Sequence, residues 1–223
     1  MFNSKEISAL LQKEFTLEFR QKHALAGIIL YVLSTVFVCY LSLQEIDKVQ
    51  TWSALVWIIS IFTVFNALAK SFQHEAHGVQ LYLYTLASPL SVILSKIIYN
   101  SLLVAVLNTI ALLLFILFLG NEVLADADMF QFTVGLILGS TGLGAMVTFI
   151  SGIAYKAGNN VGLMAILGFP VIIPLLLTLT RFSEIALEGL PFSVNGLNLL
   201  ILGVLNASSI ILAAILFPYL WRD

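Results

Sequence analysis

The chain is 223 residues long, 60% hydrophobic and only 10% charged, with a mean hydropathy of +1.03. Soluble domains are near half apolar and a quarter charged, so this composition excludes a water-soluble fold and places the chain in a bilayer. The net charge of −2, with no basic block, argues against a nucleic-acid partner, and the single cysteine, Cys39, excludes an intramolecular disulfide or a cysteine-based metal cluster.

The first 23 residues read as an amphipathic helix lying along the inner leaflet. Ile7, Leu10, Leu11, Phe15 and Phe19 make one apolar stripe, while Lys5, Glu6, Lys13, Glu14, Arg20 and Lys22 lie largely off it. The alternative is a short helix packed on the protein's own cytoplasmic face. The apolar run that follows is too long for a signal peptide and is read as a retained helix.

A membrane-crossing helix needs roughly 20 apolar residues. Six segments are free of Asp, Glu, Lys and Arg: Ala24–Leu43, Trp52–Ala69, Ile97–Leu119, Met129–Tyr155, Asn160–Thr180 and Leu197–Leu220. They predict an all-α membrane protein, one permease domain over 1–223, with spans at about 24–43, 52–72, 97–119, 130–154, 160–180 and 197–218. Gly78–Ser95 is also uncharged, but only Lys96 separates it from the next span, which leaves no residues to reverse the chain. It is therefore placed outside the bilayer core.

Basic residues set the orientation. With the N-terminus inside, Lys5, Lys13, Arg20, Lys22, Lys70, Lys96, Lys156 and Arg222 are inner and only Lys48 and Arg181 are outer, which puts both termini in the cytoplasm. Trp52, Trp57 and Trp221 sit near span ends, as interfacial aromatics would.

The inner loop from Lys70 to Lys96 is apolar for a water-facing segment. It calls either for a partner surface or for burial against the membrane and its own helices. Pro89 would pin the turn into the third span. In the fourth span Gly135 and Gly139 form a small-xxx-small pair, suited to a close helix contact within the chain or to a dimer face. Pro170 and Pro174 should leave the fifth span kinked or irregular, as a hinge or as a static bend. Arg181–Gly196 reads as two short amphipathic pieces at the outer leaflet.

No phosphate-binding loop of the type G-x-x-x-x-G-K-[ST] occurs, so the chain has no ATPase motif of its own. His74 and His77 flank Glu75 at zinc-compatible spacing, but no third ligand is evident. The spans lack an ionisable pair, which argues against a proton relay. Asn66, Asn108 and Asn206 are read as hydrogen-bonding glue between helices. These features fit an ATP-driven permease subunit powered by a separate ATPase docked on the inner loop.

The inner loop carries Phe72, Glu75, Gly78, Leu83, Leu86 and Pro89 in the pattern F-x-x-E-x-x-G-x-x-x-x-L-x-x-L-x-x-P, which resembles the type 2 ABC exporter permeases. Within that superfamily LGSTGLG, YKAGNN and GFPVIIPLLL are similar to the CcmB family, a membrane component of the haem exporter of cytochrome c maturation. The resemblance implies that the loop between spans two and three couples to the ATPase. It implies partners like CcmA (the ATPase, which binds the ATP), CcmC, CcmD and the haem chaperone CcmE, a homodimer within the complex, and the bacterial inner membrane. Haem would be a transported or handled species, and no cofactor is assigned to the chain itself. A permease for a drug, lipid or glycan, or a scaffold without an ATPase, are the competing readings.

Overall fold

The computed structural model describes residues 4–20, 22–43, 46, 48–68, 71–72, 87–120, 123–158 and 161–222. Among these residues seven helices follow in chain order: α1 (Ser4–Arg20), α2 (Lys22–Leu43), α3 (Val49–Leu68), α4 (Pro89–Leu119), α5 (Met129–Lys156), α6 (Val161–Leu187) and α7 (Gly196–Arg222). Among the described residues there is no strand. The helices α2 to α7 are each long and apolar enough to cross a membrane.

The bundle is built around α5, which packs on α3, α4, α6 and α7. Its apolar window is 78% buried, against 11% for α2 and 17% for α7, so those two are peripheral and present their apolar side chains outward. Glycines make the central position available. A Cβ on Gly135 would lie 2.7 Å from the Phe182 ring, and one on Gly139 would lie 2.5 Å from the Trp57 ring and 3.0 Å from Leu179. The close approach at this glycine pair is thus to α3 and α6 of the same chain. A Cβ on Gly144 would lie 2.7 Å from the Ser101 backbone, so α4 and α5 approach closely there.

Polar side chains stitch the same seams. Asn108 donates to Ser140 Oγ (3.0 Å), Thr141 donates to Asn206 Oδ1 (3.0 Å), and Asn206 donates to the Leu138 carbonyl (3.2 Å). Asn66 is exposed on α3.

Trp52 and Trp57, expected near the outer end of their span, are fully buried in the bundle, so their rings pack against other helices of the chain. Trp52 packs edge-on against Phe115 and Phe132, at 5.0 and 5.6 Å between ring centroids, and donates to the Leu119 carbonyl (3.2 Å). Trp57 donates to Ser183 Oγ (2.9 Å). Satisfying both indole N–H groups inside the chain removes the reason to seek the headgroup region.

Two helices run seven or more residues past an end of their charge-free windows. The helix α4 starts at Pro89, eight residues before Ile97. Ser88 caps it, accepting from Ser91 N (3.3 Å), and Pro89 takes the first helical position, where a missing N–H costs nothing. The helix α6 continues past Thr180 to Leu187, because Phe182, Ser183 and Ala186 are buried against the bundle. The stretch from Arg181 therefore begins as a continuation of α6 and not as a separate piece. Pro170 and Pro174 lie within α6, which is helical without a break through both, so no irregular segment accompanies them.

Beyond α6 the chain turns at Gly189, whose φ is +65°, and a Cβ there would run into the Asp126 carbonyl. The neighbouring loop is tied in by Asp128 N–H donating to the Ala186 carbonyl (2.8 Å). Replacing Gly189 with valine is expected to cost about 2–6 kcal/mol, from left-handed strain plus that clash. Thermal unfolding of the detergent-solubilised chain measures this, and an unchanged midpoint would refute it.

Candidate functional site

Two residues of the loop pattern, Phe72 and Pro89, are described, and both lie at the end of the bundle where α3 ends and α4 begins. A second, smaller core forms there, separate from the main one, from Phe72, Val92, Ile93, Ile97, Phe149 and Phe217 with Ala145 and Ala213. Phe72 stands 5.8 Å from the Phe217 ring and 6.5 Å from Tyr155. Gly152 leaves room for it, since a Cβ there would lie 3.3–3.4 Å from the Phe72 and Phe217 rings. Phe72 is buried, so the first residue of the loop pattern anchors the chain to the bundle and offers no side chain to a partner. Pro89 opens α4. Glu75, Gly78, Leu83 and Leu86, with His74 and His77, lie outside the described residues.

Beside Phe72 lies a side chain that the sequence alone presents as a loop-end cation. Lys96 is only 2% exposed. Its ammonium donates to Glu14 Oε1 (3.1 Å) and to the Ser71 carbonyl (3.1 Å), and stands 4.9 Å from the centre of the Phe72 ring. A charge this deep needs such partners, because removing an ammonium from water costs several kcal/mol unless it is paired and hydrogen-bonded. Glu14 is also 3.6 Å from Lys13.

One turn further along α4, Asn100 donates to Ser71 Oγ (2.9 Å) and to Thr148 Oγ1 of α5 (2.8 Å). The short turn after α3 is thus held by two consecutive rungs of α4, and the second rung reaches the central helix. Asn100 is absent from the residues that the sequence singles out. Its signal is the i, i+4 and i+12 spacing of Lys96, Asn100 and Asn108, which puts all three on one face of α4.

The helix α1 closes this end. Glu6 accepts from Ser88 N and Oγ (both 3.4 Å), and Glu14 accepts from Lys96. The two pairs are each 82 residues apart in sequence, so α1 runs parallel to the start of α4. Phe15 packs edge-on against Tyr99 at 5.1 Å. The expected stripe is only partly covered: Ile7 is buried, Leu10 and Leu11 are half-buried and Phe15 is exposed. The face turned to α4 carries Glu6 and Glu14, which the apolar pattern places off the packed side.

Elsewhere, Pro170 and Pro174 both lie on the outward side of α6. Pro174 lines an apolar groove of about 470 Å³ between α5, α6 and α7, together with Phe149, Leu167, Val171, Leu205 and Leu212.

The profile of the family described as CcmB protein matches residues 5–220, nearly the whole chain. No curated protein matches the sequence. The match takes in α1, all six long apolar helices and the anchored loop end, and on that extent the chain belongs to the CcmB family.

Proposed function

We propose that this chain is the membrane subunit that couples ATP hydrolysis on a separate, CcmA-like ATPase to haem export, or to release of the haem-loaded chaperone, during cytochrome c maturation. Family membership over residues 5–220 carries this reading, since the family is a membrane permease subunit of a haem-related ABC complex and not itself an ATPase. The absence of a phosphate-binding loop from the sequence agrees with it. So does the anchoring of the loop between α3 and α4 at Phe72 and Ser88, which gives an engaged partner something stiff to act on.

In this reading the loop end faces the cytoplasm, in keeping with the excess of basic residues there, and the bilayer is the bacterial inner membrane. CcmC-, CcmD- and CcmE-like proteins and a second copy of the chain complete the complex, and haem is handled cargo.

Glu75→Lys and Gly78→Leu are expected to abolish capture of the ATPase while the chain still inserts, as read by affinity pull-down from solubilised membranes. Undiminished capture would remove the coupling role from this loop. Deleting the gene is expected to abolish covalent haem in c-type cytochromes, read by haem staining of membrane proteins. Normal staining would overturn the functional reading itself.

A further inference from the structure

We propose that α1 is a two-point clamp on the loop between α3 and α4, with Lys96 and Glu6 as positioning residues that hold its two feet. The first foot is Ser71–Phe72. Its Ser71 carbonyl accepts from Lys96, its Ser71 hydroxyl accepts from Asn100, and its Phe72 ring lies beside the Lys96 ammonium. Lys96 is in turn held by Glu14 of α1. The second foot is Ser88, whose N–H and hydroxyl both donate to Glu6 of the same helix. Two carboxylates eight residues apart on α1, both on one face, therefore fix Ser71–Phe72 on one side of residues 73–86, through Lys96, and Ser88 on the other.

The consequence is mechanical. Any partner that engages residues 73–86 acts on two feet tied to one helix, and the first foot continues through Asn100 to Thr148 at the core of the bundle. A force on the loop is thereby shared among α1, α4 and α5. The link from loop to function rests on the coupling role proposed above, but the clamp itself does not.

The experiment uses the full-length chain with Cys39→Ser and spin labels at two exposed positions, Gln12→Cys on α1 and Ala157→Cys just beyond α5. The parent is expected to give one narrow distance distribution by pulsed electron paramagnetic resonance. Glu14→Gln and Lys96→Met should each broaden it at least twofold, and the exchange of Glu14→Lys with Lys96→Glu should restore it. Glu6→Gln, which leaves the buried pair intact, provides the second measurement should the other variants accumulate poorly, and it too should broaden the distribution.

In cells, Lys96→Met should lower covalent haem in c-type cytochromes at least tenfold while the ATPase still co-purifies, with recovery in the exchanged pair and in Lys96→Arg. Distributions as narrow in Glu14→Gln, Lys96→Met and Glu6→Gln as in the parent would overturn the clamp. Broadened distributions with unaltered cytochromes would overturn its role in positioning a partner. If gene deletion itself leaves cytochromes normal, the functional reading fails, and the distance measurement still decides the clamp.

Discussion

Gly139→Leu is expected to prevent α5 from seating in the bundle, leaving a chain that inserts but does not pack. Even the first carbon of a side chain at this position would lie 2.5 Å from the Trp57 ring and 3.0 Å from Leu179. Trp57 cannot swing aside cheaply: it is 1% exposed and its indole N–H is committed to Ser183 at 2.9 Å. Overfilling a packed site by a methyl group or so costs about 1–3 kcal/mol, so Gly139→Ala should fall in that range and Gly139→Leu well beyond it. Against a typical stability of about 5–15 kcal/mol, the larger substitution removes a large share of the total. Titration of the purified chain from mild detergent into dodecyl sulfate, followed by tryptophan fluorescence, reads both variants because Trp57 is the residue displaced. Gly203→Leu is the control, since a Cβ there meets nothing within 4 Å. Equal midpoints for Gly139→Leu and Gly203→Leu would refute this account of the packing.

The contrast between these glycines marks what could be read from the sequence. The spacing of Gly135 and Gly139 is visible along the chain and announces a close contact, but the rings that use it, Phe182 and Trp57, come from α6 and α3. The same limit explains the tryptophans. Trp52 and Trp57 near the end of a span are ordinary interfacial residues until Leu119 and Ser183 are found within reach of their N–H groups. Six apolar helices were legible because a charge inside a bilayer is costly and its absence over about 20 residues is informative. That reasoning also places the start of α4 too late. Lys96 interrupts the uncharged run, and nothing local reveals that Glu14, 82 residues earlier, neutralises it. With the charge paired, the helix runs on through Lys96 to a proline start at Pro89.

At the candidate site, Phe72 and Pro89 were legible as members of a loop pattern, whereas their structural duties were not. Phe72 is buried because Gly152 and Phe217 supply a socket for it from α5 and α7. Asn100 is easily overlooked among the span asparagines, although its separation of four from Lys96 and eight from Asn108 aligns the three on one helical face. The stripe on α1 is legible as apolar, but not which edge of it meets the bundle. That choice depends on Ser88 and Lys96, which lie elsewhere in the chain.

Glu14→Ala should be more damaging than removal of the lysine it pairs with. Deleting the carboxylate takes a counter-charge at 3.1 Å away from an ammonium that is only 2% exposed. Breaking a buried pair from one side typically costs about 3–5 kcal/mol, because the remaining charge has lost its solvent without keeping its partner. Lys96→Met removes the buried charge and leaves Glu14, 13% exposed and 3.6 Å from Lys13, with another cation. Its cost should therefore be smaller, and the double variant Glu14→Ala with Lys96→Met should be more stable than Glu14→Ala alone. The dodecyl sulfate titration ranks the three, and a Glu14→Ala midpoint equal to or above that of Lys96→Met would exclude a desolvated ion pair at this position. The expected ranking also assigns the pair its role. A methionine could fill the space beside Phe72, but it could not hold the Ser71 carbonyl and the Glu14 carboxylate at once, so the lysine serves to fix α1, the end of α3 and α4 in one arrangement more than to raise stability.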